Sequence, residues 1–181
     1  MAAGVFSVTH LSGLSVKNAI NWGTETTGQG IASSNSVLLD IDAAYGGMCV
    51  ADADTRIANV DQSVVTLTVM TDELPSLNVS VSTVNGTLTI DRSGTYQVFH
   101  QSSFTGTANT SFKGHLYLNS SEHTFGWHRK LGATGDEGSA SFGGIDSFVT
   151  NDVLSVGLES TSGSGNYVGI IDAQFAVHKL Y

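Results

Sequence analysis

Histidine is the residue type in this chain with the widest capacity for chemistry, and three of the six histidines fall close together. His115, His123 and His128 flank one predicted hairpin. Imidazole nitrogens bind transition metals, but a single strand presents only alternate residues to one face. We therefore interpret these three as surface or interface histidines, and the sequence predicts no metal site.

Two pairs of aspartates have the alternation that places both carboxylates on one face of a strand. They are Asp40 with Asp42, and Asp52 with Asp54. Carboxylate oxygens suit Ca²⁺, yet neither pair is followed by the glycine and the further oxygen ligands of a calcium loop. We interpret both pairs as solvated turns, and the sequence predicts no cofactor.

The chain has no motif of an enzyme nucleophile or of a phosphate-binding loop. Gly-x-Ser-x-Gly, His-Glu-x-x-His and a glycine-rich loop with lysine are all missing from the sequence. Tyr117, Phe125 and Trp127 have two interpretations, as an aromatic patch for a sugar or protein partner or as core residues, and we favour the core. The sequence therefore predicts a protein that is not an enzyme, with no catalytic residue.

Composition limits the partners of the chain. Its 181 residues are 40% hydrophobic and 13% charged, and its formal net charge is −9. An acidic chain with seven Lys and Arg cannot neutralise a row of phosphates, so we expect no nucleic-acid partner and no membrane partner. Cys49 is the single cysteine, so it forms no internal disulfide, and its role stays open.

The first 61 residues differ from the rest of the chain. Residues 23–36 are rich in Gly, Thr and Ser, and Gly46-Gly47 indicates a turn. This region has too little periodic apolar sequence for a core of its own. We predict that residues 1–61 form an irregular anchoring arm that packs on a neighbour. The candidate anchoring residues are its large apolar side chains: Phe6, Leu11, Leu14, Ile20 and Trp22.

Residues 62–181 carry the pattern of many short strands. Apolar and polar residues alternate over 64–70, 77–82 and 94–100. Asn85-Gly86 predicts a hairpin turn, because both residues tolerate positive φ. Further strand candidates, separated by turn clusters, are 112–118, 124–129, 139–142, 153–158 and 167–177. This spacing predicts an all-β fold, an antiparallel jelly-roll β-sandwich over residues 62–181, with no helix after residue 61.

Four stretches resemble a known family. They are Gly94-Thr-Tyr96-Gln-Val98-Phe99, Leu116-Tyr-Leu118-Asn119, Asn151-Asp152-Val153-Leu154 and Phe175-Ala-Val177-His-Lys-Leu180-Tyr181. In order and spacing they resemble the jelly-roll family shared by the globular heads of complement component one q and tumour necrosis factor. Asn151 and Val177 stand where that family usually has glycine. The resemblance covers residues 62–181, and the Ser- and Thr-rich strands are similar to phage-encoded versions.

The resemblance implies a homotrimer around a threefold axis. Alternation adds an independent argument, because the strand at Tyr96–Phe99 and the strand at Phe175–Leu180 have apolar residues on both faces. A core on one face and a partner subunit on the other would explain this pattern; the alternative is a monomeric sandwich. Three copies of one histidine at the axis would make a metal site possible. The residues that we assign to the trimer interface or the core are Tyr96, Val98, Phe99, Val156, Leu158, Phe175, Val177 and Leu180.

Together these features predict a structural protein of a virus particle. The expected role is a homotrimeric capsid decoration (cement) protein on the outer surface of a phage head. Its partner besides itself would be the major capsid protein or another virion protein. The alternative is the receptor-binding head of a phage fibre or spike. Because Met1–Phe6 lacks the basic and apolar regions of a signal peptide, we expect synthesis in the host cytoplasm before incorporation into the virion.

Overall fold

The structure is a computed structural model that describes residues 43–53, 55–58, 60, 63–161 and 165–181. Within these ranges the chain forms twelve β-strands and no helix, so none is long and apolar enough to cross a membrane. The strands are β1 (Tyr45–Val50), β2 (Thr55–Ala58), β3 (Val65–Thr66), β4 (Asp72–Leu77), β5 (Val79–Ser82), β6 (Thr87–Ile90), β7 (Gly94–Gly106), β8 (Ser111–Leu118), β9 (Ser121–Lys130), β10 (Gly138–Phe148), β11 (Val153–Ser160) and β12 (Tyr167–Lys179).

The strands form two six-stranded antiparallel sheets. The first sheet has the order β10-β7-β12-β1-β4, and β2 also pairs with β12. The second has the order β5-β6-β11-β8-β9, and β3 also pairs with β11. Because β7, β10 and β12 belong to one sheet while β8, β9 and β11 belong to the other, the chain crosses repeatedly between the layers. This arrangement confirms the predicted all-β antiparallel jelly-roll sandwich.

Alternate side chains of both sheets fill the space between them. On β7, Tyr96, Val98 and Phe104 are each at most 1% exposed. The Phe104 ring packs edge-on against Phe112 of β8, with centroids 6.2 Å apart, and stacks on Trp127 of β9 at 5.2 Å. Successive residues of a strand point to opposite faces, so the inner positions of β7 leave a second set of side chains outside the sandwich.

The jelly roll begins earlier in the chain than the sequence analysis placed it. Strand β1 pairs with β12, and β2 pairs further along the same strand, so Tyr45–Val50 and Thr55–Ala58 belong to the first sheet rather than to an arm. Gly46 and Gly47 lie inside β1 and not at a turn. They permit close approach of neighbours, because a Cβ on Gly47 would lie 2.7 Å from the carbonyl oxygen of Phe175.

The segment 64–70 is a strand only at Val65–Thr66, which is shorter than predicted. Beyond Thr66 it passes over the β5–β6 turn, where a Cβ on Gly86 would clash with the carbonyl oxygen of Leu67. Leu67 and Met70 are nevertheless fully buried. The apolar residues of this segment therefore indicate burial in the core and not a long strand, because pairing with β11 ends soon after Thr66.

Turns are held by residues that tolerate the left-handed backbone region. The predicted β5–β6 hairpin is confirmed, with Gly86 at φ 64°. Asn119 has φ 50° and Asn151 has φ 75°. Asparagine is one of the few residues that adopt this conformation readily, which explains Asn151 at a position where the resembling family has glycine. Asn119 also donates from Nδ2 to Asp152 Oδ1 at 2.8 Å, so the two turns are joined.

Candidate assembly surface

The outer face of the first sheet is a candidate assembly surface. Its side chains form transverse rows because the strands pair in register: Ile145, Gln97, His178 and Tyr45 are successive neighbours across four strands. The next row contains Phe99. We call this surface the uncharged face, and its members are Tyr45, Gly47, Cys49, Gln97, Phe99, Gln101, Ser141, Gly143, Ile145, Gln174, Ala176 and His178.

The uncharged face has no Asp, Glu, Lys or Arg side chain in a protein whose formal net charge is −9. Phe99, Ala176 and Gln97 line a shallow groove at its centre, with a volume of ≈ 260 Å³. The outer face of the second sheet is different, because it carries Lys113 and Glu159 side by side on paired strands. Depletion of charge is typical of the central part of protein–protein interfaces.

Large apolar side chains are exposed at one end of the uncharged face. Tyr45 and Ile145 belong to the face itself and are 38% and 60% exposed. Leu180 directly follows β12, and its backbone N–H donates to Thr95 of β7. Tyr181, which is also exposed, accepts through its backbone carbonyl from the N–H of Thr95. Exposed apolar side chains gathered in this way mark interaction surfaces, whereas isolated ones need no explanation.

The eight predicted trimer or core residues divide between two locations. Phe99, on the uncharged face, is partly buried, and Leu180 is 40% exposed. The other six are buried in the core of the monomer: Tyr96, Val98, Val156, Leu158, Phe175 and Val177. The predicted two-sided character of β7 and β12 is present, with a core on the inner side and apolar side chains on the outer side.

A polar network covers part of the outer face of the second sheet. Lys113 Nζ lies 2.6 Å from Glu159 Oε1 and 3.9 Å from Glu122 Oε2. The hydrogen bond to Glu159 is the main cause that raises the pKa of Lys113. Tyr117 donates to Glu122 at 3.3 Å, and its pKa rises to about 12, chiefly through desolvation and then through the charge of Glu122. His115 Nδ1 lies 2.9 Å from Glu122 Oε1, without the alignment of a hydrogen bond.

The three histidines of the predicted hairpin do not converge. The rings of His115 and His128 are 5.7 Å apart on neighbouring strands. His123 instead contacts the first sheet, with Nε2 2.9 Å from Asp146 Oδ2 of β10. Over the part of the chain that the structure describes, no group of three or more His, Cys, Asp or Glu side chains has the arrangement of a metal site.

The three aromatic residues Tyr117, Phe125 and Trp127, like the three histidines, lie in different places. Trp127 is buried in the core, and Phe125 packs over Gly144 and beside His123. Tyr117 belongs to the polar network. Of the two interpretations weighed for these aromatics, the core therefore applies to Trp127 and to Phe125, which is partly buried against it, and the three side chains form no common surface.

His100 is a buried titratable group that the sequence analysis missed. It lies on the inner face of β7, fully buried, with its ring 5.1 Å from that of Phe142. Nδ1 is 3.0 Å from the carbonyl oxygen of Gln174, while Nε2 is buried without a partner. Burial lowers the pKa of His100 to about 4, and the hydrogen bond opposes this only in part. His100 follows Tyr96 and Val98 at steps of two residues along β7, and this alternation is the sequence signal that its side chain faces the core.

Some predicted residues lie outside the part of the chain that the structure describes. These are Asp40, Asp42 and Asp54, together with the candidate anchoring residues Phe6, Leu11, Leu14, Ile20 and Trp22. Asp52 is described and exposed, with positive φ and its N–H donating to Asp172 Oδ1 at 3.1 Å. Its place is therefore a bend after β1, in agreement with a solvated turn.

Comparison with known proteins identifies the fold. No protein-family model and no curated protein matches the chain. The crystal structure of murine APRIL matches with a TM-score of 0.53 and 11% identity, over 76% of this chain and 99% of that one. The globular domain of zebrafish complement 1qA protein matches with a TM-score of 0.53 and 14% identity, over 76% of this chain and 97% of that one. The chain therefore has the jelly-roll fold of these two proteins.

Proposed function

We propose that the chain is a non-enzymatic assembly module that forms a homotrimer through the uncharged face. The observation that carries this proposal is the combination of exposed Ile145 and Tyr45 with no charged side chain among the members of the uncharged face, whose bordering acids are Asp72 and Asp172. Copies that each carry a net charge of −9 repel one another wherever their carboxylates meet. A surface without charges avoids both this repulsion and the cost of desolvating ions.

The mass of the purified protein in solution tests the trimer. We expect light scattering to give about three times 18.9 kDa, independent of dilution over a range of concentrations. Ile145→Glu should shift the mass toward that of the monomer, because it places an anion in each interface. Val84→Glu is the matched control, since Val84 is 85% exposed at the tip of the β5–β6 hairpin, away from the uncharged face. A monomeric wild-type chain, or equal effects of both substitutions, would overturn the proposal.

At a finer level, we propose that the trimer is a capsid decoration protein on the outer surface of a phage head. The support for this role is the sequence before β1, in which apolar residues such as Trp22 and Leu14 occur among Gly, Ser and Thr without the pattern of a core. A segment of this composition that orders on a partner covers a large surface. The major capsid protein or a neighbouring virion protein is the proposed partner.

Removal of residues 1–42 tests the decoration role. Ala44 is fully buried and β1 begins at Tyr45, so this truncation leaves every described strand intact. We expect the truncated chain to remain a trimer, with three times its own shorter chain mass, and to lose cosedimentation with virus particles that lack the protein. Undiminished binding to particles would contradict the role of residues 1–42. Binding to host cells with no binding to particles would contradict decoration and support a receptor-binding head.

A further inference from the structure

His178 has a special place on the uncharged face. It is exposed on β12, beside Gln97 of β7 and Tyr45 of β1, and it lines the central groove together with Phe99. Imidazole is the side chain whose charge ordinarily changes between about pH 5 and pH 8. Among the described members of the uncharged face, His178 is the one histidine.

Among the described residues, no carboxylate lies in the transverse row of His178. Its neighbours in this row are Gln97, Ile145 and Tyr45. Leu77 of β4 lies opposite Tyr45. The described acids on the same side lie in other rows: Asp72 of β4 lies opposite Cys49, in the row of Gln174, and Asp172 is six residues away along β12, which corresponds to about 20 Å of strand.

We propose that protonation of His178 separates the copies of the trimer in mild acid. This inference rests on the proposed self-association through the uncharged face. A neutral imidazole fits an interface lined by amide, phenol and phenyl groups, whereas an imidazolium there must give up its hydration without a counter-ion from its own sheet. Carboxylates remain ionised at about pH 5.5, so the acidic surface elsewhere keeps its charge while the interface gains one from each copy.

Light scattering across a pH series tests the proposal, with circular dichroism at each pH to establish that the protein stays folded. We expect the wild-type chain to be trimeric at about pH 8 and its dissociation constant to rise by at least about tenfold at about pH 5.5. His178→Gln and His178→Leu should remain associated at both pH values. His178→Lys, which carries a fixed charge, should be dissociated already at about pH 8. His128→Gln is the control, because His128 is exposed on the second sheet.

The outcomes separate the two proposals. A wild-type trimer that is equally stable at both pH values, or one whose acid dissociation persists in both neutral variants, overturns the role of His178 and leaves the assembly intact. Association of His178→Lys at about pH 8 does the same. A wild-type chain that is monomeric at about pH 8 overturns the self-association itself. Acid dissociation that both neutral variants abolish supports the proposal.

Discussion

At the residue scale, His100 shows how a polar side chain is accommodated in the core. Its Nδ1 lies 3.0 Å from the carbonyl oxygen of Gln174, and the neutral ring packs against Phe142 and Phe175. A charged imidazolium at this position would have no anionic partner within these contacts. The folded protein therefore favours the neutral form, which is the physical meaning of its lowered pKa.

His100 makes the stability of the fold dependent on pH. The folded state holds the pKa of His100 at about 4, against 6.5 for the free side chain, so below about pH 6.5 the unfolded chain binds a proton that the folded chain does not. The free energy of unfolding should therefore fall by about 3 kcal/mol in total as pH decreases from about 6.5 to about 4. Above about pH 6.5 this contribution to stability is fully retained. Urea unfolding at several pH values measures this change.

A spectroscopic measurement keeps this prediction testable without a substitution. The ring protons of His100 should show no titration by NMR between about pH 7 and pH 5, the range in which an imidazole ordinarily changes its charge. His100→Gln should also weaken the acid dependence, and His128→Gln, at an exposed position, should leave it unchanged. A His100 signal that titrates in that range would refute the buried neutral state.

At the scale of elements, the turn between β10 and β11 depends on one backbone conformation. Asn151 is exposed with φ 75°, and its N–H donates to the carbonyl oxygen of Ile90 at 2.7 Å. Asp152 accepts from the N–H of Val149 in the same turn. The turn requires at position 151 a residue that tolerates the left-handed backbone region, and this tolerance matters more to stability than the polar side chain of Asn151.

Asn151→Ala should therefore destabilise the fold by about 1 kcal/mol, and Asn151→Gly should change its stability by only a few tenths of that. Asn85→Ala is the matched control, because Asn85 is an exposed turn residue that does not have positive φ. Urea unfolding midpoints of the three variants measure the difference. Equal losses at Asn151 for alanine and glycine would mean that the asparagine side chain, and not the backbone conformation, stabilises the turn.

At the scale of the whole molecule, strand β1 determines how much of the chain the sandwich requires. It pairs with β12 on one side and with β4 on the other, and Met48 is fully buried beneath it. Loss of β1 would break two ladders, separate β4 from the sheet and expose part of the core. The region before β1 contributes no described strand to either sheet.

Two truncations distinguish these regions. Removal of residues 1–42 should leave a cooperative unfolding transition, whereas removal of residues 1–60 should abolish it, because β1 and β2 are then missing. Thermal unfolding followed by circular dichroism measures both variants. A fully cooperative transition in the shorter chain would show that the pairing of β1 with β12 is dispensable.

The alternation of residues in the sequence determined the inner and outer sides of the strands. Alternation predicts Tyr96 and Val98 on one face of β7 and Phe99 on the other, and the structure places them so. Side-chain direction in a strand is a local property with a period of two residues. Local chemistry of the same kind predicts the β5–β6 hairpin, through Asn85-Gly86.

The tertiary structure decided the features that depend on distant parts of the chain. The sequence pattern at Gly46-Gly47 predicts a turn, whereas both glycines lie within a strand. The approach of Val79 to Gly46 and of Phe175, more than a hundred residues later, to Gly47 explains them. The uncharged face arises from four strands whose order no local pattern contains. His178 lies beside Tyr45 because β1 and β12, which are far apart in sequence, pair with each other.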